Sequence, residues 1–109
     1  MNTEYNIEID NKVISEYFDN LVGRFYKILP LKEGGEKSYL QYVGALIREM
    51  LGFKTLVPQI GYDDRYLSLV STLEYILKND PSKETVKSDV FKSINLIKRI
   101  KNKHCRKGE

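Results

Sequence analysis

The chain has 109 residues, 41% of them hydrophobic and 30% charged, with one histidine and one cysteine. That length supports one core rather than two, and one cysteine excludes a disulfide scaffold or a cysteine-rich zinc module. The formal net charge of +3 hides an uneven division. Residues 1–82 carry 9 basic and 12 acidic side chains, whereas residues 83–109 carry 9 basic and 3 acidic ones.

The first residues, Met1 to Asp10, are polar and acidic and lack the charged-then-apolar pattern of a secretory signal. No apolar run approaches the roughly 18 residues of a membrane span. With a single Cys105, the expected location is the cytoplasm. Lysine outnumbers arginine 13 to 5, a bias common in AT-rich bacterial genomes.

Apolar spacing near 3.6 residues dominates the remainder and predicts an all-α, small four-helix bundle occupying residues 1–103, with 104–109 as a frayed tail. The first helix is expected from Asp10 to Leu29, burying Ile14, Tyr17, Phe18, Leu21, Phe25, Ile28 and Leu29. Pro30 should end it, because the residue before a proline is driven out of helical geometry. Ser38 and Gln41 form a capping-box pattern for a second helix running to Leu51. Gly52 is placed to close that helix in the left-handed conformation.

Tyr39, Leu40, Tyr42, Val43, Leu46, Ile47, Met50 and Leu51 cover half of this helix, so it should meet several neighbours and be the most central. Residues 53–62 contain Pro58 and Gly61 and read as an irregular connection, with Leu56, Val57 and Ile60 turned inward. Asp63 or Asp64 starts a third helix to Lys78, burying Tyr66, Leu69, Val70, Leu73, Ile76 and Leu77. Asp80-Pro81 is a start signal for a fourth helix to Lys103. Its expected core set is Val86, Val90, Phe91, Ile94, Ile97 and Ile100. Short connections make helices one and two, and three and four, antiparallel neighbours. Tyr5 to Ile9 alternates like a strand but is too short to build a sheet.

Three stretches, Phe25-Tyr26-Lys27-Ile28-Leu29-Pro30-Leu31, Tyr66-Leu67-Ser68-Leu69-Val70-Ser71-Thr72-Leu73 and Asp89-Val90-Phe91-Lys92-Ser93-Ile94, resemble small uncharacterised helical proteins of Gram-positive bacteria and their mobile elements. The resemblance implies a helical bundle with a phage or mobile-element origin and brings no catalytic residues. In size, charge and helix count the chain also resembles bacteriocin immunity proteins.

Catalytic constellations are missing, and the sequence reads as non-enzymatic with no cofactor. Gly34-Gly35-Glu36-Lys37-Ser38 lacks the leading glycine of a phosphate-binding loop, although Lys37-Ser38 at a helix start suits an anion. Asp63-Asp64 is explained by helix capping, and His104-Cys105 has no metal spacing.

The feature above background is the basic fourth helix. Lys92, Arg99, Lys103 and, if helical, Arg106 fall within roughly 60° on a helical projection, opposite Val90, Ile94 and Ile97. Lys87, Lys98 and Lys101 flank the apolar edge, and Asn95 and Asn102 lie beside the stripe. Such a stripe suits a solvated helix face, a protein contact, or phosphates. Among eight tyrosines, Tyr17, Tyr39, Tyr42 and Tyr66 belong to the core edge with wet hydroxyls, whereas Tyr26, Tyr62 and Tyr75 lie outside the apolar arcs. Exposed tyrosine beside arginine is interface composition. The expected contacts are therefore Lys92, Arg99, Lys103, Tyr26 and Tyr75. They suit a protein partner or, alternatively, nucleic acid; the stoichiometry, monomer or homodimer, stays open.

Overall fold

The computed structural model describes residues 11–35 and 38–104, all helices and short connections. The chain forms α1 (Asn11–Glu33), α2 (Ser38–Leu56), the short α3 (Pro58–Gly61), α4 (Asp64–Asn79) and α5 (Lys83–His104). The four long helices correspond to the four expected from apolar spacing. The suggested strand at Tyr5–Ile9, the helix start at Asp10 and the anion role of Lys37 lie outside the described residues.

The long helices form an antiparallel ring in the order α1, α2, α4, α5. Lys32 meets Tyr39 at one end of the α1–α2 hairpin and Tyr17 stacks on Phe53 at the other. Asp63 meets His104 across α4 and α5. Asp19 pairs with Lys101, and Tyr26 touches Phe91, where α1 runs against α5. No helix is central: α2 holds one corner, and its wide apolar arc is used by α1, α3 and α4 together. The α1–α5 seam is the most extensive contact.

One core runs the length of the ring, with Phe18, Phe25, Met50, Tyr66, Leu73 and Ile97 among its buried members. Apolar burial of this kind contributes about 1.5–3 kcal/mol per large side chain before the entropy of ordering is subtracted. Ser93 is the buried polar side chain of the core region, and no buried side-chain polar atom among the described residues lacks a partner.

Several helix boundaries differ from the sequence expectation, each for a local reason. Pro30 lies inside α1 rather than at its end. Leu31 packs on the core and Lys32 bonds Asp80 at 2.7 Å, and these contacts hold another turn beyond the proline. The helix closes instead at Gly34-Gly35, where Gly35 takes a φ of 69° and its N–H donates to the Lys32 carbonyl.

Gly52 is helical and does not close α2. Phe53 stacks face to face on Tyr17 with ring centroids 3.9 Å apart and carries the helix onward. Within the supposed irregular connection, Pro58 opens α3, at a first helical position where its missing N–H costs nothing. Val57 and Ile60 turn inward as expected, but Leu56 is 64% exposed. Gly61 is a packing requirement, since a Cβ there would lie 2.5 Å from the Lys54 Cα.

Asp80 does not start the last helix. It closes α4 with a φ of 43°, donating its N–H to the Ile76 carbonyl, while its carboxylate receives Lys32 and the Tyr39 hydroxyl. Ser82 starts α5 in its place: its hydroxyl accepts the Thr85 N–H, and its carbonyl the Val86 N–H. Leu77 and Phe91, expected in the core, are each 40% exposed.

Candidate functional site

Two concavities and one helix face are the candidates. A cleft of about 660 Å³ between α1 and α2 is lined by Tyr17, Asn20, Arg24, Lys27, Tyr42 and Glu49, among others. Most of its polar groups are occupied with each other. Arg24 and Glu49 form a two-pronged pair with both contacts at 2.7 Å, which raises the arginine pKa further. The Tyr42 hydroxyl donates to the Arg24 carbonyl, and Lys27 lies over the Tyr42 ring. The Tyr66 hydroxyl donates to the Met50 carbonyl and meets the Tyr17 hydroxyl at 3.0 Å. Burial pushes both phenols above the usual tyrosine range. The cleft is chiefly a clamp between helices, in which Lys27 and Asn20 have no ion pair or side-chain hydrogen bond among the described residues.

The second concavity, of about 580 Å³, surrounds Asp63 at the opposite junction of α3, α4 and α5. The Asp63 side chain is 4% exposed. It accepts the Arg65 N–H at 2.9 Å as the α4 cap, and one oxygen lies 3.1 Å from His104 Nε2 and 3.4 Å from Lys103 Nζ. Burial alone would raise this carboxyl, but the Arg65 N–H, His104 and Lys103 outweigh it and hold it below the ordinary aspartate range. His104 was expected in the fraying tail; it is the last residue of α5, tied down through this bond. Cys105 and the conditional stripe member Arg106 lie outside the described residues. No group of three metal-ligating side chains occurs among the described residues.

The outer face of α5 is different, because much of its charge is uncommitted. Lys92 and Arg99 are exposed and have no ion pair among the described residues, and the same holds for Lys87 and Lys98. Lys103 departs from the expected stripe, since Asp63 partly neutralises it. Lys101, expected at the apolar edge, is taken by Asp19 at 2.7 Å.

The seam with α1 adds the aromatic component. Tyr26 is 44% exposed and Phe91 40%, and their rings meet edge to face with centroids 6.0 Å apart. Asn95 lies between this pair and the Lys92–Arg99 line on the helical projection. The α5 face thus carries two rims, Phe91 with Lys98 toward α1 and Lys92 with Arg99 toward α4.

Tyr75 is also exposed but stands apart, on the side of α4 away from Leu69, Leu73 and Ile76. Four of the five expected contacts therefore sit around α5 and one does not. Sequence reasoning missed Phe91 as a surface residue by counting it with the core. On a helical projection it lies roughly 120° from the centre of the buried Val86–Ile100 arc, and that offset was the available signal. The expected wet hydroxyl needs correction at Tyr66, which is fully buried and donates to the Met50 carbonyl, whereas the Tyr39 hydroxyl reaches the exposed Asp80 carboxylate.

No helix among the described residues is long and apolar enough to cross a membrane. No protein-family model matches the chain, and no curated protein and no solved structure matches it significantly.

Proposed function

We propose that this protein is a non-enzymatic accessory, inhibitor or regulatory module that acts by binding another protein through the outer face of α5 and its seam with α1. The observation that carries the reading is the half-exposed Tyr26–Phe91 pair flanked by Lys92, Lys98 and Arg99, which have no ion pair among the described residues. Aromatic anchors with arginine and a charged rim are the usual composition of a binding hot spot. A cytoplasmic setting and a phage or mobile-element origin belong to the same proposal.

Nucleic acid is the competing occupant, and two features weigh against it. Asp19 and Asp63 already hold Lys101 and Lys103, which shortens the run of cations available to follow phosphates. The aromatic rings also pack edge to face on each other rather than offering a flat ring for base stacking.

The test uses wild type and two double variants, Tyr26→Ser with Phe91→Ser and Lys92→Glu with Arg99→Glu, as baits in extract of the encoding organism. A protein retained by wild type and lost from both variants supports the reading. Equal retention by all three overturns it, and so does tight binding of duplex or single-stranded nucleic acid at about 50 mM salt that collapses by about 200 mM.

A further inference from the structure

Resting on that reading, we infer that the partner presents an acidic amphipathic helix, which lies along the α1–α5 seam with its apolar side inward. The seam supplies two apolar seats. One is the exposed Tyr26–Phe91 pair. The other is a cleft of about 320 Å³ above the fully buried Phe18 and Ile97. Half-buried Val22 is its reachable apolar side chain, and Asp19, Lys98, Lys101 and Asn102 supply the polar lining. Along α1 the step from Tyr26 to Val22 is one helical turn, about 6 Å. Two aliphatic side chains one turn apart on one face of a partner helix match that separation.

The charge pattern specifies the flanks. Lys98 lines the second seat, Lys87 lies one turn beyond Phe91, and Lys92 with Arg99 line the rim toward α4. None of these four has an acidic partner among the described residues. The protein already contains one example of the contact required: Asp19 of α1 reaches Lys101 of α5 across this same seam at 2.7 Å. Carboxylates flanking the apolar anchors of a third helix would repeat that pairing with Lys98 and Lys87. Adding a strand to a sheet edge is no alternative, as the described residues form no strand. A groove between antiparallel helices suits helix-in-groove recognition, with anchors at helical spacing.

The probe is a synthetic helix-forming peptide of about 18 residues, ~27 Å long, with leucines on one face and glutamates on its flanks. A control peptide of the same composition has the leucines scattered around the helix. Each is titrated into the full isotope-labelled chain and followed by amide NMR. Supporting results are shifts confined to residues around Val22, Tyr26, Phe91 and Lys98, absent with the scattered peptide. Affinity should fall about tenfold in Lys87→Glu with Lys98→Glu and in Tyr26→Ser with Phe91→Ser, the loss expected for removal of a hot-spot contact.

No shifts, shifts elsewhere, or equal shifts from the scattered peptide overturn the inference. Tighter binding of duplex DNA to the same residues overturns it as well. If the peptide fails while extract capture still depends on Tyr26 and Phe91, only the helical partner is wrong. If capture is also indifferent to those residues, the protein-binding reading falls with it.

Discussion

Asp63 is where one side chain carries the most structural weight. It caps α4 through the Arg65 N–H and fixes the last turn of α5 through His104 and Lys103. Replacing it by alanine removes a cap and the contacts to His104 and Lys103, a loss of about 1–2 kcal/mol for the cap alone. Asparagine keeps the cap and removes the charge, so Asp63→Asn should lie between wild type and Asp63→Ala in urea denaturation.

The sign of the pH effect follows from the lowered carboxyl pKa. A carboxyl that ionises more readily when folded stabilises the protein above the unfolded aspartate pKa, and that contribution is lost as pH falls through the folded one. Acidification from about pH 7 to about pH 3 should therefore cost wild type more stability than Asp63→Asn. An equal loss in both would remove Asp63 as the source. A second residue-scale test is Tyr66→Phe, which deprives the Met50 carbonyl and the Tyr17 hydroxyl of a partner and should cost about 1 kcal/mol by thermal or urea unfolding.

At the scale of the helices, two glycines make opposite demands. Gly52 lies inside α2 with open space around its Cα, so Gly52→Ala removes an entropic cost and should stabilise by about 0.5–1 kcal/mol. Gly61 faces the Lys54 backbone at a distance no Cβ tolerates, so Gly61→Ala must displace α3 and should destabilise by about 1–3 kcal/mol. Thermal unfolding of the two variants beside wild type distinguishes them directly.

The same pair shows what the sequence could and could not disclose. Four helices and most of their inward faces were readable because apolar spacing is local information, repeated over many turns. The starts at Ser38 and at Asp63–Asp64 were readable too. The ends of α1 and α2 and the α4–α5 junction were not, because distant contacts act there. Lys32 reaching Asp80 extends α1 past Pro30, and Phe53 stacking on Tyr17 extends α2 past Gly52. Asp80 reads as a helix start in sequence, yet it closes the previous helix because Lys32 and Tyr39 come to its carboxylate from elsewhere. The candidate surface was legible to the same degree. Lys92 and Arg99 followed from the projection, while the neutralisation of Lys103 and the approach of Phe91 to Tyr26 depend on how the helices pair.

For the molecule as a whole, the uneven charge of the sequence becomes a question of which cations the fold leaves unpaired. Lys101 and Lys103 help to fasten α5 to α1 and α4, whereas Lys87, Lys92, Lys98 and Arg99 remain on the outside. A structural cation and a binding cation should behave differently on substitution. Lys101→Ala should lower stability slightly, by less than about 1 kcal/mol for so exposed a pair. Arg99→Ala should leave stability unchanged within about 0.5 kcal/mol and weaken partner binding.

Photo-crosslinking in the encoding organism tests the surface most directly, with a benzophenone amino acid placed at Phe91 in one variant and at Tyr75 in another. Both side chains are exposed to a similar extent, but only Phe91 belongs to the proposed face. The expected result is a discrete crosslinked protein from position 91 and none from position 75. A discrete product from position 75 alone, or crosslinks from position 91 only to nucleic acid, would contradict it.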